Sequence, residues 1–517
     1  MEISDPLTFL SLLLVVVALF SSLYIIPSRR SDGRRRRLPP SPPSLPVIGH
    51  LHLLSAMPHH SLAALSARLG APLLYLRLGR VPAAVVCSPA LARAALTAAD
   101  AALASRPDLL SARVLSFGRS DVTFAPAGPY HRQARRIVVS ELLSPRRVAS
   151  YRPIRLQEIR RLLSAVAASE GAPIDMSARL FGLANDVLCR VAFGRRFGGG
   201  GGGGGERLVE VLTEAQALFA GFTVGDFFPE IEWAVSAATG LRWRMNRCLA
   251  GLRAVCDEII ADHKGEGGAA ARDGYSQEDF VDVLLRVQRS PELEVPITDD
   301  NLKALVLDMF VAGTDTSFAT LEWVMTELAK HPNTMRKAQE EVRRIVGNKG
   351  RVEEGDLQQL NYMRAVVKET FRLHPPVPLL VPRESVEKCT LGGYDIPAKT
   401  RVFINTYAIG RDPQVWENPL DFSPERFRNT DIDLKGQDFE LLPFGGGRRG
   451  CPGYSFALAT IENALSSLLY HFDWELPPGV GADDVDMTEI FGLATRKKEP
   501  LILIAKTHEG YEFKETN

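Results

Sequence analysis

Apolar positions run unbroken from Leu7 to Ile26, twenty residues without a charged side chain. As a helix rising about 1.5 Å per residue, this run spans about 30 Å, the thickness of a bilayer's hydrocarbon core. Glu2 and Asp5 precede it, and Arg29, Arg30 and Arg34 to Arg37 follow. That asymmetry is expected to keep the arginine side, and the rest of the chain, in the cytosol. A cleaved signal peptide is the competing reading, but it wants a positive start, a shorter apolar core and a small-residue cleavage site. Residues 1–28 are therefore read as an N-terminal transmembrane anchor. Residues 29–50 form a basic and then proline-rich hinge, whose prolines at 39, 40, 42, 43 and 46 make a stiff extended spacer.

From residue 51 to 517 the pattern is mainly helical. Leucines and arginines recur at helical spacing over 140–168, 206–220 and 241–263. A longer apolar stretch follows Asp299 and Asp300, either of which can cap it, and runs to Lys330, where His331-Pro332 ends it. Residues 73–79 and 83–88 alternate as a strand pair around a turn, and Tyr394 to Ile404 is short and β-rich. The glycine run 198–205 reads as a flexible surface loop. No internal repeat and no change of composition divides this stretch, so one large, mainly α body with a smaller β-rich region is expected.

Composition narrows the chemistry. The 517 residues carry 61 basic and 61 acidic side chains, which gives no bulk charge to hold a nucleic acid. With 45% hydrophobic and 24% charged residues the chain is an ordinary globular one. Its six cysteines are scattered, with no pair at the two-residue spacing of a zinc or redox motif, so a disulfide framework is not expected.

One cysteine stands apart. Pro443 to Ser455 read PFGGGRRGCPGYS, and glycines so dense are costly unless the backbone must approach something closely. Helix-like sequence begins just after Cys451, so free backbone N–H groups and the helix dipole favour a thiolate there. Taken alone, that supports a nucleophile or a metal ligand, and an inert buried cysteine is the bland alternative. A thiol hydrolase would also need a positioned histidine, and no such signature accompanies it.

Phe444, Gly447, Arg449, Cys451 and Gly453 fit F-x-x-G-x-R-x-C-x-G, and with this the chain resembles the cytochrome P450 family. The resemblance implies the P450 fold and haem b, with Cys451 as the axial ligand of the haem iron, its thiolate favouring O–O cleavage. It implies that Arg449 meets a haem propionate and that Phe444 packs beside the sulfur. Glu369 and Arg372 fit E-x-x-R and Arg426 lies in Pro424-Glu425-Arg426-Phe427, which implies a buried charge cluster that is structural. Ala312 to Ser317 (AGTDTS) lie in the long helix. There Gly313 would allow close approach to the haem, and Asp315 and Thr316 form an acid-alcohol pair able to pass protons to dioxygen. An amphipathic helix with a capping-type cluster is the plain alternative for that segment. Arg135 and Arg383 are the other implied propionate contacts. His131 stands where plant members usually carry tryptophan, and its charge would depend on pH.

The resemblance is nearest to plant microsomal hydroxylases of small aromatic metabolites, and within them to grass enzymes that hydroxylate the indole ring of tryptamine to give serotonin. It implies Leu115, Phe117, Leu218, Phe219 and Phe222 as substrate contacts. Phe310 and Ala312 would join them from the long helix, with Val377, Leu379 and Leu380 after the E-x-x-R helix and Phe491 near the end. Such side chains suit a flat ring, though each singly is equally a core residue. A protonated amine wants a carboxylate or an aromatic face, and Asp226 and Glu230 lie in the right region. No flavin or nicotinamide fingerprint is present, so electrons must come from a partner, and the resemblance implies that this partner is the membrane-bound NADPH-cytochrome P450 reductase. Arg132, Arg136, Arg146, Arg147 and Arg448 are docking candidates for its acidic face. The location implied is the endoplasmic reticulum membrane, single-pass, with the body cytosolic. The alternatives are hydroxylation of a flavonoid, phenylpropanoid or terpenoid, a peroxide-rearranging haem enzyme, and a haem carrier. The acid-alcohol pair argues against the last two.

Overall fold

A computed structural model describes residues 37–196, 204–220, 223–264 and 278–508. The apolar run Leu7–Ile26, Phe222 and most of the glycine run lie outside the described residues. The last two glycines of that run belong to a helix, Gly204–Ala220.

The architecture turns on one long helix. Asp299–Lys330 is capped by Thr298, whose hydroxyl accepts from Asn301 N–H while the Asn301 side chain accepts from Thr298 N–H. This corrects the expectation that Asp299 or Asp300 caps it; both lie in the first turn, where their charge suits the dipole. The helix is buried nearly all round, as a core helix must be when it is apolar on every face. Among the described residues it alone is long and apolar enough to cross a membrane, and 83% of its apolar window is buried inside the protein.

Elements useful for the site are α1 (Leu110–Leu115), α2 (Pro129–Ile137), α3 (Met176–Phe193), α4 (the long helix Asp299–Lys330), α5 (Asn361–Leu373) and α6 (Tyr454–His471). Helix α3 packs along α4, and an added Cβ at Gly313 would stand 3.0 Å from Leu188 Cδ2. Gly313 thus serves helix packing as well as the cavity. The stretch 140–168 is three pieces, because Pro145 and Pro153 each start a new helix.

The β-rich region is a four-stranded sheet in the order β1 (Leu73–Leu78), β2 (Val81–Val86), β4 (Arg401–Ile404), β3 (Arg383–Glu384). Strands β1 and β2 form the expected hairpin, Leu73 opposite Val86, and β2 runs parallel to β4. The proline-rich segment is fixed to this sheet: Pro40 O accepts from Tyr75 N–H at 2.9 Å, and Pro42 O lies 2.9 Å from His50 Nε2.

Two buried charge clusters tie the elements together. Glu369 on α5 is fully buried and accepts from Arg372 Nε (2.7 Å) and Nη2 (2.8 Å), Arg426 Nε (2.9 Å) and Ser423 N–H (2.8 Å). The other Arg372 donors bind the carbonyls of Gly410, Pro419 and Asp421. This is the structural role expected of Glu369, Arg372 and Arg426. At the end of α5, His374 Nε2 lies 2.6 Å from Glu327 Oε1 of α4, and its ring stacks on Trp323 at 4.1 Å.

Candidate functional site

Phe371 of α5 packs edge-on against Phe444 at 5.3 Å, so the Glu369 cluster supports the first residue of the cysteine loop directly. The loop then folds back, and Phe444 O accepts from Cys451 N–H at 2.8 Å. Gly447 is required here. Its φ is +63°, and an added Cβ would lie 2.7 Å from both Leu96 O and Asp100 Oδ1. Helix α6 begins three residues after Cys451.

The loop faces a cavity bounded on the opposite side by α4. With the open solvent at its mouth included, it spans about 1530 Å³ of space free of atoms. The Cys451 sulfur lies deep in the protein, and its accessible surface is cavity wall. Burial pushes the thiol up, while the Gly453 N–H and the Arg135 charge act the other way. Ala312, Gly313 and Thr316 form the far wall. Thr316 Oγ1 donates to Ala312 O at 2.7 Å, within a helix that continues unbroken.

Four guanidiniums crowd the cavity: Arg106, Arg135, Arg383 and Arg449. Arg449 donates to the carbonyls of Ala104, Val122 and Ala125, and Arg383 pairs with Asp100 at 2.6 Å. Burial, then the neighbouring Arg383 and Arg135, bring Arg449 down to about 10. His131 is buried among these charges and its Nε2 has no hydrogen-bond partner. Burial and the charges of Arg449, Arg135, Arg106 and Arg132 push it down to about 3. These surroundings favour the neutral imidazole. An orphaned donor beside crowded guanidiniums, opposite a recessed thiol, fits a flat dianionic macrocycle with a metal at its centre. Cys451 would hold the iron, and His131, Arg135, Arg383 and Arg449 its carboxylates.

Asp315 does not line the cavity. It turns to the other side of α4, buried, with Oδ1 3.7 Å from Arg496 Nη1, and burial raises its carboxyl. The expected substrate contacts divide. Ala312, Val377 and Leu380 line the large cavity, and Leu115, Phe219 and Ala312 a smaller one that adjoins it. Phe310 faces away and stacks on Phe193 at 5.6 Å. Phe491 stacks on His59, Leu379 packs under the sheet, Leu218 is core, and Phe117 lies beneath Arg253. Asp226 accepts from Leu110 N–H and caps its own helix, and Glu230 pairs with Arg80, so neither reaches a cavity. Arg106, Asp121, Phe124, Asp308 and Leu493 do line the cavities and escaped the sequence reading.

A cysteine thiol beneath a slot edged by arginines, inside a long-helix core, defines a haem-thiolate protein. The family model described as cytochrome P450 matches residues 39–504, and the chain belongs to the cytochrome P450 family as a monooxygenase. Membership implies haem iron, dioxygen, electrons from a reductase partner and a small substrate. Tryptamine 5-hydroxylase of Oryza sativa subsp. japonica is 64% identical, covering 99% of each chain. Cytochrome P450 71AP13 of Prunus mume is 49% identical over 92% of each. Premnaspirodiene oxygenase of Hyoscyamus muticus is 42% identical over 96% of this chain and 98% of its own. A zebra fish cytochrome P450 structure with abiraterone superposes with a TM-score of 0.74 at 24% identity. It covers 88% of this chain and all of its own, and establishes the fold alone.

Proposed function

We propose that this monooxygenase hydroxylates the indole ring of tryptamine at its 5-position to give serotonin. The observation that carries the reading is 64% identity along the whole chain to the rice enzyme of that name. The smaller cavity agrees with it, since Phe124 and Phe219 stack in parallel at 5.4 Å and give it an aromatic flank.

When bound, the haem supplies the activation of dioxygen and the transfer of one oxygen atom. The chain's residues do the rest. Arg135, Arg383, Arg449 and the His131 N–H would hold the haem by its carboxylates, with Phe444 beside the sulfur. The Thr316 hydroxyl lies on the cavity wall, one rotamer change from donating into it instead of to Ala312 O. Asp315, its carboxyl raised by burial against the pull of half-exposed Arg496, lies on the face of α4 turned from the cavity and would resupply Thr316 with protons through water.

Electrons arrive from NADPH through the reductase of the endoplasmic reticulum, with Leu7–Ile26 as the single membrane span and the body cytosolic. Arg132, Arg136 and Arg146 are exposed and suit an acidic partner, Arg448 is exposed but lies 3.7 Å from Asp100 Oδ2, and Arg147 is engaged by Glu278 at 2.7 Å. Titrating tryptamine into the ferric protein tests the substrate. A saturable Soret change is expected, and no change at millimolar tryptamine rejects it.

A further inference from the structure

The two cavities meet at Thr123, Asp308, Ala312 and Leu493, which line both. At this junction the smaller cavity exposes two buried carboxylates, Asp121 and Asp308. Neither forms an ion pair among the described residues. Asp308 Oδ2 accepts from Val122 N–H (2.9 Å) and Thr123 N–H (3.1 Å), and Oδ1 from the Thr123 hydroxyl alone (2.6 Å). A carboxylate has about four acceptor sites, so Oδ1 can take one more donor. Asp121 Oδ1 accepts from Phe124 N–H at 2.6 Å, and the same carboxylate takes hydrogen bonds from the Ser116 side chain and the Ala125 N–H.

We propose that Asp121 and Asp308 together bind the ammonium group of an arylalkylamine substrate. The inference rests on the tryptamine reading and adds what recognises the amine. Three observations carry it. First, no arginine bonds either acid: Arg106 donates to the carbonyls of Thr123, Val381 and Pro382, and Arg449 to those of Ala104, Val122 and Ala125, so their charges reach the pair only through space. Also near them are the Tyr130 phenol, which donates to Ser120 O, and the Cys451 thiol, which the Asp308 charge raises.

Second, the charges balance. Arg106, Arg135, Arg383 and Arg449 stand against Asp100, Asp121, Asp308 and the two carboxylates of a bound haem, so one positive charge is missing. Without it, burial raises both acids, and the Asp308 charge raises Asp121 further. An entering ammonium supplies the missing charge.

Third, the spacing fits. Asp308, Ala312 and Thr316 follow at successive turns on one face of α4, about 6 Å apart along the axis. An amine held at Asp308 directs the benzo edge of an indole, the edge farthest from the aminoethyl arm, towards Ala312 and Thr316. The same anchor therefore selects the ring edge that is oxidised.

Equilibrium dialysis of the haem-loaded protein with tryptamine and with 3-ethylindole, the same skeleton without the amine, tests this. The native protein is expected to bind tryptamine at least about tenfold more tightly, as a charge-assisted hydrogen bond supplies. Asp121→Asn and Asp308→Asn should each erase most of that preference and leave 3-ethylindole within about twofold. A preference that survives in both variants overturns the proposal, as does equal loss of both ligands, which would mark the acids as latches of the loop at 121–125. If a variant fails to load haem, the native comparison decides, because equal binding of the two ligands refutes the proposal without any variant. Binding of neither ligand by a protein with an intact thiolate carbon monoxide spectrum would instead reject the tryptamine reading.

Discussion

Replacing Glu369 by glutamine removes one charge from a fully buried site. Its carboxylate receives four hydrogen bonds from Arg372, Arg426 and Ser423, and both Glu369 and Arg372 are fully buried. Glutamine keeps one acceptor oxygen and turns an NH2 group towards guanidinium donors. Breaking a buried pair from one side costs about 3–5 kcal/mol, because the surviving charge is left uncompensated. Total stabilities are commonly about 5–15 kcal/mol, so the loss is a large share. It falls on the support of Phe371, and through Phe371 on Phe444 and the cysteine loop. The Glu369→Gln protein should therefore show a clearly lower unfolding midpoint and a reduced haem-to-protein ratio, with the carbon monoxide complex drifting to the band of a protonated thiol. Midpoint and haem content are read by denaturant titration and pyridine haemochrome. A variant equal to the native protein in both would refute the claim that this cluster holds the site.

Cys451→Ala should abolish haem incorporation or leave iron without thiolate character, and an unchanged red-shifted Soret band of the reduced carbon monoxide complex would sink that. Thr316→Ala should raise the share of reducing equivalents lost as peroxide, and unchanged coupling of NADPH use to product would count against its proton role. Glu327 is buried, which alone would raise it, but hydrogen bonds from His331 and His374 outweigh burial and hold it at about 2. Its folded value lies below its unfolded one, so its contribution is full above about pH 4.5 and is lost as pH falls towards 2. His374 is raised by Glu327 against burial, so its contribution is full below about 6.5 and is lost as pH rises through its folded value. Glu327→Gln should thus destabilise by about 2–3 kcal/mol near pH 6 and by less at either pH extreme. Urea midpoints across pH check this, and a gap constant with pH would contradict it.

The cysteine loop and the Glu369 cluster were legible in the sequence because their chemistry fixes residue types at fixed spacing. Substrate contacts were not, because they depend on which way a helix face or a strand-like end turns. Phe310 and Ala312 are two residues apart on α4, yet one packs on Phe193 and the other faces both cavities. Phe491 and Leu493 divide in the same way near the end of the chain. Asp308 carried a signal that could have been read: it is a lone carboxylate inside the apolar run ALVLDMFVAG, and a helix buried on every face tolerates one only where a partner awaits it. Arg106, alone between Ser105 and Pro107, is a weaker instance. The helix cap moved to Thr298 because its hydroxyl and Asn301 satisfy two end donors reciprocally, which neither aspartate does.

Turnover of tryptamine by the purified protein, with reductase, NADPH and isotopically heavy dioxygen, tests the central claim most directly. The account predicts serotonin with one oxygen atom from the labelled gas. Absence of any hydroxylated indole, from a protein that still gives the thiolate carbon monoxide spectrum, would contradict it.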